Sequence, residues 1–597
     1  MKHLTNFDTF GEYSAFLNSQ DYENPNVSYI SSGESSEYNR FLTFKLKSSS
    51  GAIEINKVGT ASNLTASIQY SLDRGITWEN YTFNGSQGLH IVLEKNYDKH
   101  GCDNIKFKGV NSKFSHSTTT YYNFAMSGDF FGRGDVTSLI NGIGGDCALP
   151  NFAFVGLFSG CTSLLTSPKL PSTTLSKRCY QNMLKWCSSI KIAPELPANN
   201  LSEGCYYVMF GNCYSLTKAP KLQATVMVES CYSGMFQNAS GLSDVSEINF
   251  SSAVTLAVDC YGNMFRGTNL SAATELPMKT LAKNCFRQMF SNCSALTTSP
   301  DLMATTLAES CYRGMFINCI NLTHAPNICA SVFPTCACCA MFVGCSSLEI
   351  PPVVSAATQV VNRGMAGMYE QTKISAAPEL PATALGEYSY FCMFWDCESL
   401  IEPPSVLPAT TLGVSCYRGM FEQCKSLTAA PELPATTLKN NCYQGMFTCC
   451  STLTVAPELP STALTTQCYY GMFQWTGILT APELPATNVA TDAYWCMFYC
   501  SKSLTGAPYI ASPTNPAATP TRLYQRMFEG CNNLTYIKAM FTSWPVASNG
   551  NSVTGQWVAS VKSTGTFVAN ANASFLSNPP RGAEGIPNNW TIQTATA

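Results

Sequence analysis

Apolar residues recur at two spacings within one repeating unit of about 26 residues. In the copy that begins at Leu307, the residues Leu307, Cys311, Met315 and Cys319 lie four apart, which predicts a short helix with one buried face. A Ser-Leu-Thr segment that ends at Ala-Pro follows, and it predicts a strand of about three or four residues. Each coil is therefore predicted to run strand, turn, short helix, turn.

One aromatic position of the motif Cys-Tyr-x-x-Met-Phe marks every copy of the unit. It falls at Phe158, Leu184, Phe210, Phe236, Phe265, Phe290, Phe316, Phe342, Tyr369, Phe394, Phe421, Phe447, Phe473, Phe498 and Phe528. About fifteen copies of a unit too small to bury its own core predict an α/β repeat solenoid. Strands pair at about 4.8 Å whereas helices pack at about 8–10 Å, so a curved rod with concave strands is expected.

The order F-x-x-C-x-x-L-T followed by a proline-ended strand resembles the BspA-type leucine-rich repeat. That family is found in surface antigens of Bacteroides-like gut anaerobes and in related phage tail or fibre proteins. The resemblance covers residues 150–541 and implies a leucine-rich-repeat-like solenoid that serves binding or adhesion. It does not name a ligand.

Three other segments flank the repeats. Residues 1–40 are polar and predict a leader or attachment segment, and the alternating pattern of 41–145 predicts a small antiparallel β-sandwich. Within it, Ser71, Asp73, Gly75, Thr77 and Trp78 match an Asp-box, which we interpret as a structural hairpin. Residues 542–597 predict a cap on the last coil, with a helix start at 556–560 and short strands at 565–568 and 590–593.

Composition excludes several classes of function. Charged residues make up 12% of the chain and the net charge is −3, which excludes a strong electrostatic footprint for nucleic acid or anionic membrane. The chain has 29 cysteines, and their spacing along and between helices exceeds disulfide reach, so reduced core thiols are expected. Cys336, Cys338 and Cys339 are the alternative as a zinc cluster, but they lack a second ligand pair, and no metal or other cofactor is predicted.

Catalytic chemistry is not indicated. The five histidines have no nucleophile in a recognisable motif beside them. A recurring A-P-E-L-P glutamate predicts a solvated row rather than a catalytic pair; it occupies Glu195, Glu379, Glu432, Glu458 and Glu483. The tripeptide Arg133, Gly134, Asp135 matches an integrin-type adhesion motif. We prefer the interpretation that it forms a capping turn ahead of the first coil. The sequence predicts no enzyme.

Two rows of residues are candidate binding surfaces. The position after Ser-Leu-Thr varies beside the concave strands; it holds Lys218, Thr298, His324, Ala429, Val455 and Gly506. The tyrosine of each coil could stack on sugars, or it could pack in the core, which we prefer; this aromatic row includes Tyr206, Tyr232, Tyr312, Tyr417, Tyr443 and Tyr469.

The function predicted from sequence is a non-enzymatic binding protein. Because residues 1–16 contain no apolar run of signal-peptide length, we expect a phage virion protein, tail-associated or fibre-like, that recognises a bacterial surface glycan or protein. Its N-terminal region would contact other virion proteins, and neither nucleic acid nor membrane insertion is expected. The alternatives are a bacterial cell-surface adhesin for host matrix or other cells, hence an extracellular location, and a structural virion component without receptor binding.

Overall fold

The computed structural model describes residues 40–60, 64–83, 88–94, 103–112, 114–354, 356–514, 521–546 and 552–595. The predicted leader segment lies almost wholly outside the described residues. Eight strands precede the repeats: β1 Leu42–Leu46, β2 Ser50–Val58, β3 Ser67–Ser71, β4 Glu79–Thr82, β5 Leu89–Glu94, β6 Asn104–Lys108, β7 Tyr121–Ser127 and β8 Phe130–Arg133.

These strands form two sheets, and their pairing is antiparallel. One sheet has the order β5-β2-β7. The other runs β4-β3-β6-β1-β8 and gains β9, Leu164–Thr166, which belongs to the first repeat and pairs parallel with β8. A short helix, α1 (Ser138–Asn141), follows β8.

The N-terminal sheets and the repeats share one core. Phe158, the first aromatic position of the repeats, packs its ring 5.8 Å from Phe44 and 5.3 Å from Phe124. The Phe124 amide also donates to the Leu157 carbonyl at 2.7 Å. Aromatic side chains of this size dominate core energetics, so the sheets act as the N-terminal end of the solenoid's core.

The repeat region is a β-solenoid of about nine turns with almost no helix. The prediction of a short helix in every coil is therefore wrong, and the count of about fifteen coils is not supported. The apolar residues spaced four apart do face the core, but they do so from a run of tight turns.

Backbone hydrogen bonds explain how four-residue spacing arises without a helix. The Gly419 amide donates to the Gln444 carbonyl of the next coil at 2.9 Å, whereas the Met420 amide donates back to Tyr417 at 3.2 Å. Alternate amides thus bond to the next coil and to a turn in their own coil. An α-helix would use every amide within its own segment.

Left-handed backbone at every fourth residue makes this arrangement possible. Ser415, Gly419 and Gln423 have φ of 55°, 62° and 67°. A left-handed residue cannot continue a right-handed helix. These turns form a layer on one side of the coils, here called the turn layer, and its amides also bond from coil to coil. The 8–10 Å distance between packed helices, from which the curvature was predicted, is therefore absent.

Short parallel strands line the other side of the coils. They are β10 Val332–Phe333, β11 Gln359–Val360 and β12 Ala384–Leu385, then β13 Gly506–Ile510, β14 Tyr536–Ala539, β15 Thr566–Asn570 and β16 Thr591–Ala595. Two 3-10 helices occupy Phe250–Ser252 and Ser574–Ser577.

The C-terminal segment extends the sheet. Strands β15 and β16 pair parallel after β13 and β14. Residues 556–560 form turns, so the helix start predicted there is wrong. Trp557 is fully buried, and its indole N–H donates to the Gly585 carbonyl at 2.7 Å. A large apolar side chain with its polar atom satisfied thus covers the end of the ring ladder.

Candidate functional site

Five of the six varied positions after Ser-Leu-Thr take part in parallel bridges between coils. Thr298 pairs with His324, and Val455 and Gly506 both pair with the intervening Thr480. Lys218 pairs in parallel with Ile192 and Asp244, and Ala429 follows Ser-Leu-Thr in its own coil. Thr298, His324, Ala429 and Val455 are exposed, while Lys218 and Gly506 are half-buried. The row therefore faces solvent, as a binding surface requires.

Several polar side chains in and beside this row already have hydrogen-bond or ion-pair partners within the protein. The Thr297 hydroxyl donates to the Ser271 carbonyl at 3.1 Å, and Thr428 donates to Ile401 at 3.3 Å. The Lys218 ammonium lies 3.0 Å from a Glu247 carboxylate oxygen. The row offers a solvated surface of mixed chemistry.

The tyrosine row lies in the core. Tyr417 and Tyr443 stack with ring centroids 5.5 Å apart, and Tyr443 and Tyr469 with centroids 5.9 Å apart. Tyr206, Tyr232 and Tyr312 are buried in the same way. Burial raises the pKa of these phenols well above their ordinary value. A surface ligand cannot reach their faces.

The cysteines of the described residues are free, and most are buried. Cys424 and Cys450 donate their thiols at 3.0 Å to carbonyls of the preceding coil, those of Phe394 and Phe421. Burial raises the pKa of both thiols well above the ordinary value. They are structural donors with little thiolate character.

The zinc alternative is not supported by the geometry. Cys338 is buried, whereas Cys336 and Cys339 are partly exposed. Within the described parts of the chain, no group of three or more His, Cys, Asp or Glu side chains is placed to hold a metal ion.

Two motifs singled out by sequence have structural roles. Asp73 accepts from the amides of Ile76 and Thr77 at 3.0 and 2.9 Å, and the Thr77 hydroxyl donates to it, which lowers the pKa of its carboxyl. Asp135 is buried and accepts from the Thr137 amide at 2.8 Å. The aspartate of the Arg-Gly-Asp tripeptide is therefore unavailable to a partner.

The A-P-E-L-P glutamates are exposed, as a solvated row would be. All five, Glu195, Glu379, Glu432, Glu458 and Glu483, lie on the surface. Glu379 accepts from the Ser405 amide and hydroxyl, each at 3.1 Å. In this copy the carboxylate stabilises the adjoining coil.

A concave site missed by sequence reasoning lies on the turn layer. It is a cavity of about 260 Å³ that crosses successive coils, here called the glycine groove. Its lining residues are Phe391, Cys392, Arg418, Gly419, Glu422, Gln444, Gly445, Thr448, Tyr470, Gly471 and Gln474.

Glycines in left-handed backbone form the floor of the groove. Gly419, Gly445 and Gly471 occupy one position of three consecutive coils, with φ of 62°, 62° and 60°. A side chain there would point toward the oxygens described next. Other coils fill this position with larger residues such as Val208 and Arg526. Three glycines in succession therefore open a channel along the solenoid.

The two walls of the groove differ in chemistry. On one side, a Cβ added at each glycine would lie 3.1 Å from a Glu422 carboxylate oxygen, 3.4 Å from the Thr448 hydroxyl oxygen and 3.1 Å from the Gln474 amide oxygen. This wall is a row of acceptors, one in each coil. The position that follows the buried tyrosine of each coil forms the other wall, which carries Arg418, Gln444 and Tyr470. These side chains bring a guanidinium, an amide and a phenol.

Aromatic rings lie at both ends of the wall formed by Arg418, Gln444 and Tyr470. The Arg418 guanidinium lies 5.8 Å from the Phe391 ring centroid, and Tyr470 stacks on Trp495 at 4.8 Å. Partial burial raises the pKa of Glu422, while Arg418 opposes that shift. The groove thus combines apolar ends with hydrogen-bonding sides, as ligand sites commonly do.

The sequence did carry a signal for the groove. Gly recurs in Gly-Met-Phe at residues 419, 445 and 471 within a supposed helix. Glycine in a helix interior costs about 1 kcal/mol relative to alanine, so its repetition favours backbone that only glycine adopts easily. The helical interpretation of the four-residue spacing concealed it.

Comparisons with known proteins give distant structural neighbours. No family model matches the chain, and no curated protein matches it. A leucine-rich repeat protein from Bacteroides ovatus is 14% identical, with 75% of this chain and 87% of that one covered at a TM-score of 0.41. A leucine-rich cell surface protein from Faecalibacterium prausnitzii is 12% identical, with coverages of 72% and 86% and a TM-score of 0.27. These neighbours are leucine-rich repeat proteins, as the resemblance in the repeat anticipates. Because the identities and TM-scores are low, nothing further about this chain is inferred from them.

In the part of the chain that the structure describes, no helix is both long enough and apolar enough to span a bilayer.

Proposed function

We propose that this protein is a non-enzymatic binding and adhesion protein whose ligand lies in the glycine groove. The observation that carries the proposal is the run of Gly419, Gly445 and Gly471, which opens a channel between an acceptor wall and a wall with donors. Ligand sites are usually concave and largely pre-formed, with polar groups that orient the ligand.

The finer form of the proposal is a receptor-binding protein of a phage particle, tail-associated or fibre-like. The ligand would be a glycan or protein of the bacterial surface, and the N-terminal region would attach to other virion proteins. The shared core of the sheets and the solenoid supports this arrangement, because a rod fixed at one end holds its groove in a defined direction. The same geometry would serve a bacterial surface adhesin.

Binding of the labelled full chain to gut anaerobe cells, with and without their capsule, tests the proposal. We expect saturable binding that Gly445→Asn weakens at least tenfold. Asparagine adopts the required backbone, since Asn182 and Asn263 occupy this position with φ of 54° and 56°. The matched control is Gly314→Asn, which makes the same change outside the groove. Binding absent from every strain, or equal in both variants, contradicts the proposal.

Antibody labelling distinguishes the two locations. Labelling of purified phage particles supports a virion protein, whereas labelling of intact uninfected cells supports a bacterial adhesin. Gly445→Asn should weaken ligand binding whether the protein is a virion protein or a bacterial adhesin.

A further inference from the structure

The glycine groove repeats its glycine floor once per coil, and this repeat limits what can bind. Rings of consecutive coils beneath the groove stack with centroids 5.6 Å apart for Phe421 and Phe447, and 5.7 Å apart for Phe447 and Phe473. A polymer that places one unit over each glycine must therefore advance by about this interval per unit.

An extended peptide matches this interval poorly. Two residues of a strand, which bring side chains back to the same face, advance about 6.6 Å. Such a chain would drift by about 1 Å at every coil relative to the groove. Each unit of a linear polysaccharide is one ring, so successive rings can lie over Gly419, Gly445 and Gly471. Neighbouring rings of an extended β-linked chain turn opposite edges to a given wall, and the hydroxyl groups on either edge can meet it.

The walls call for ligand groups that both donate and accept hydrogen bonds. The acceptor wall holds Glu422, Thr448 and Gln474 oxygens, and the Thr448 hydroxyl already donates to the Gly471 carbonyl at 3.0 Å. The opposite wall brings Arg418, Gln444 and Tyr470. A hydroxyl group satisfies both walls, since it is one donor and an acceptor. Sugars carry such groups on both edges of the ring.

The charges in the groove favour a neutral chain. Glu422 and Arg418 line the same channel, and their charges oppose each other. A polyanion would meet Glu422 and a polycation would meet Arg418. The apolar groups Phe391 and Tyr470 at either end suit the C–H faces of sugar rings.

We infer that the glycine groove binds a linear, uncharged polysaccharide lying along the solenoid axis, with one sugar ring for each coil. This inference rests on the proposed function and specifies its ligand. The glycine floor excludes side chains so that each ring can lie against the backbone.

The experiment titrates the full chain by calorimetry with β-linked oligomers of glucose, mannose, galactose and N-acetylglucosamine, from dimer to hexamer. In at least one series we expect affinity to rise about tenfold from dimer to tetramer and then to level off, because the groove crosses three glycine coils. Gly445→Asn and Tyr470→Ala should each weaken binding about tenfold or more. Gly314→Asn should leave binding unchanged, and circular dichroism should show that all variants keep the wild-type fold.

Several outcomes overturn the inference. Affinity that does not depend on oligomer length, or that survives Gly445→Asn, rules out one sugar per coil in this groove. If no oligomer binds, but cell binding is lost both with Gly445→Asn and after protease treatment of the cells, the ligand is a protein and the proposed function stands. If neither cells nor oligomers bind, the proposed function fails with it.

Discussion

The Cys424 thiol donates a hydrogen bond of 3.0 Å to the backbone carbonyl of Phe394 in the preceding coil. The same bond recurs from Cys397 and Cys450 at their positions. Ser501 replaces the cysteine in one coil and donates to the Phe473 carbonyl at 2.6 Å. The ladder therefore requires a small side chain at this position rather than sulfur itself, and Ala239 occupies it in another coil without a donor.

Substitution of Cys424 tests how much the donated hydrogen bond contributes to stability. We expect Cys424→Ser to change the free energy of unfolding little, because its hydroxyl can donate as Ser501 does. Cys424→Ala should cost about 1 kcal/mol or more, since the hydrogen bond is lost. Urea unfolding measures both. Equal destabilisation by Cys424→Ser and Cys424→Ala would show that Cys424 stabilises the fold by packing and not by its hydrogen bond.

Thiol labelling distinguishes core cysteines from surface ones. Cys329 is exposed, whereas Cys424 is buried with a raised thiol pKa. Because the thiolate is the reactive form, Cys329→Ser should remove one equivalent of rapid labelling by a thiol reagent in native protein. Cys424→Ser should leave the rapid phase unchanged and remove one equivalent only after denaturation. Rapid labelling of Cys424 in the native state would contradict the buried ladder.

The buried tyrosine row makes a prediction opposite to the usual cost of mutation. The Tyr417 hydroxyl is buried and has no hydrogen-bond partner among the described residues. Phe286 already occupies this position in another coil. Tyr417→Phe should therefore leave the free energy of unfolding unchanged or raise it by up to about 1 kcal/mol.

Tyr122 provides the matched control for Tyr417. It is buried too, but its hydroxyl donates to the Leu64 carbonyl at 2.8 Å. Tyr122→Phe should lower the free energy of unfolding by about 1 kcal/mol. If both variants lose equal stability in urea titrations, the Tyr417 hydroxyl does have a partner.

The left-handed backbone at Asn318 can be tested directly. Asn318 has φ of 56°, and its side-chain amide donates to Asn292 at 3.0 Å. A branched residue resists this conformation, so Asn318→Val should cost about 1–2 kcal/mol from backbone strain in addition to the lost hydrogen bond. Asn318→Gly loses the bond but not the conformation and should cost less. A helical segment would rank the two variants in the reverse order, because glycine is the poorer helix former.

One carboxyl should make stability depend on pH. Burial raises the pKa of Glu370 to about 7 from its usual 4.5. Between these values the folded protein retains a proton that the unfolded chain has released, so stability falls as pH rises through this window. After discounting for partial exposure, the loss is of the order of 1 kcal/mol.

Glu370→Gln should flatten that pH profile, measured as the urea midpoint on either side of the window. Glu432→Gln, which changes an exposed glutamate, is the control and should leave the profile as it is in the wild type. A wild-type profile that is flat, or that rises with pH, would contradict the raised pKa of Glu370.

Periodicity along the chain was sufficient to predict much of the architecture. The recurrence of the motif at Phe394, Phe421 and Phe447 predicts a solenoid of stacked units, and these three rings stack with centroids 5.4 and 5.6 Å apart. The apolar alternation of 41–145 predicts sheet, and two sheets with antiparallel pairing occur there. These features follow from which residues must be buried, and burial depends mainly on local pattern.

The sequence by itself determined which side chains face the core, because the apolar residues of Cys-Tyr-x-x-Met-Phe recur in the coils and are buried there. The tertiary structure alone decided the backbone that carries them. A spacing of four suits both a helix and a run of left-handed turns, and the choice depends on amides such as that of Gly419, which bond to the next coil. The glycine groove follows from the same choice, since a glycine opens a channel only where neighbouring coils lie in register.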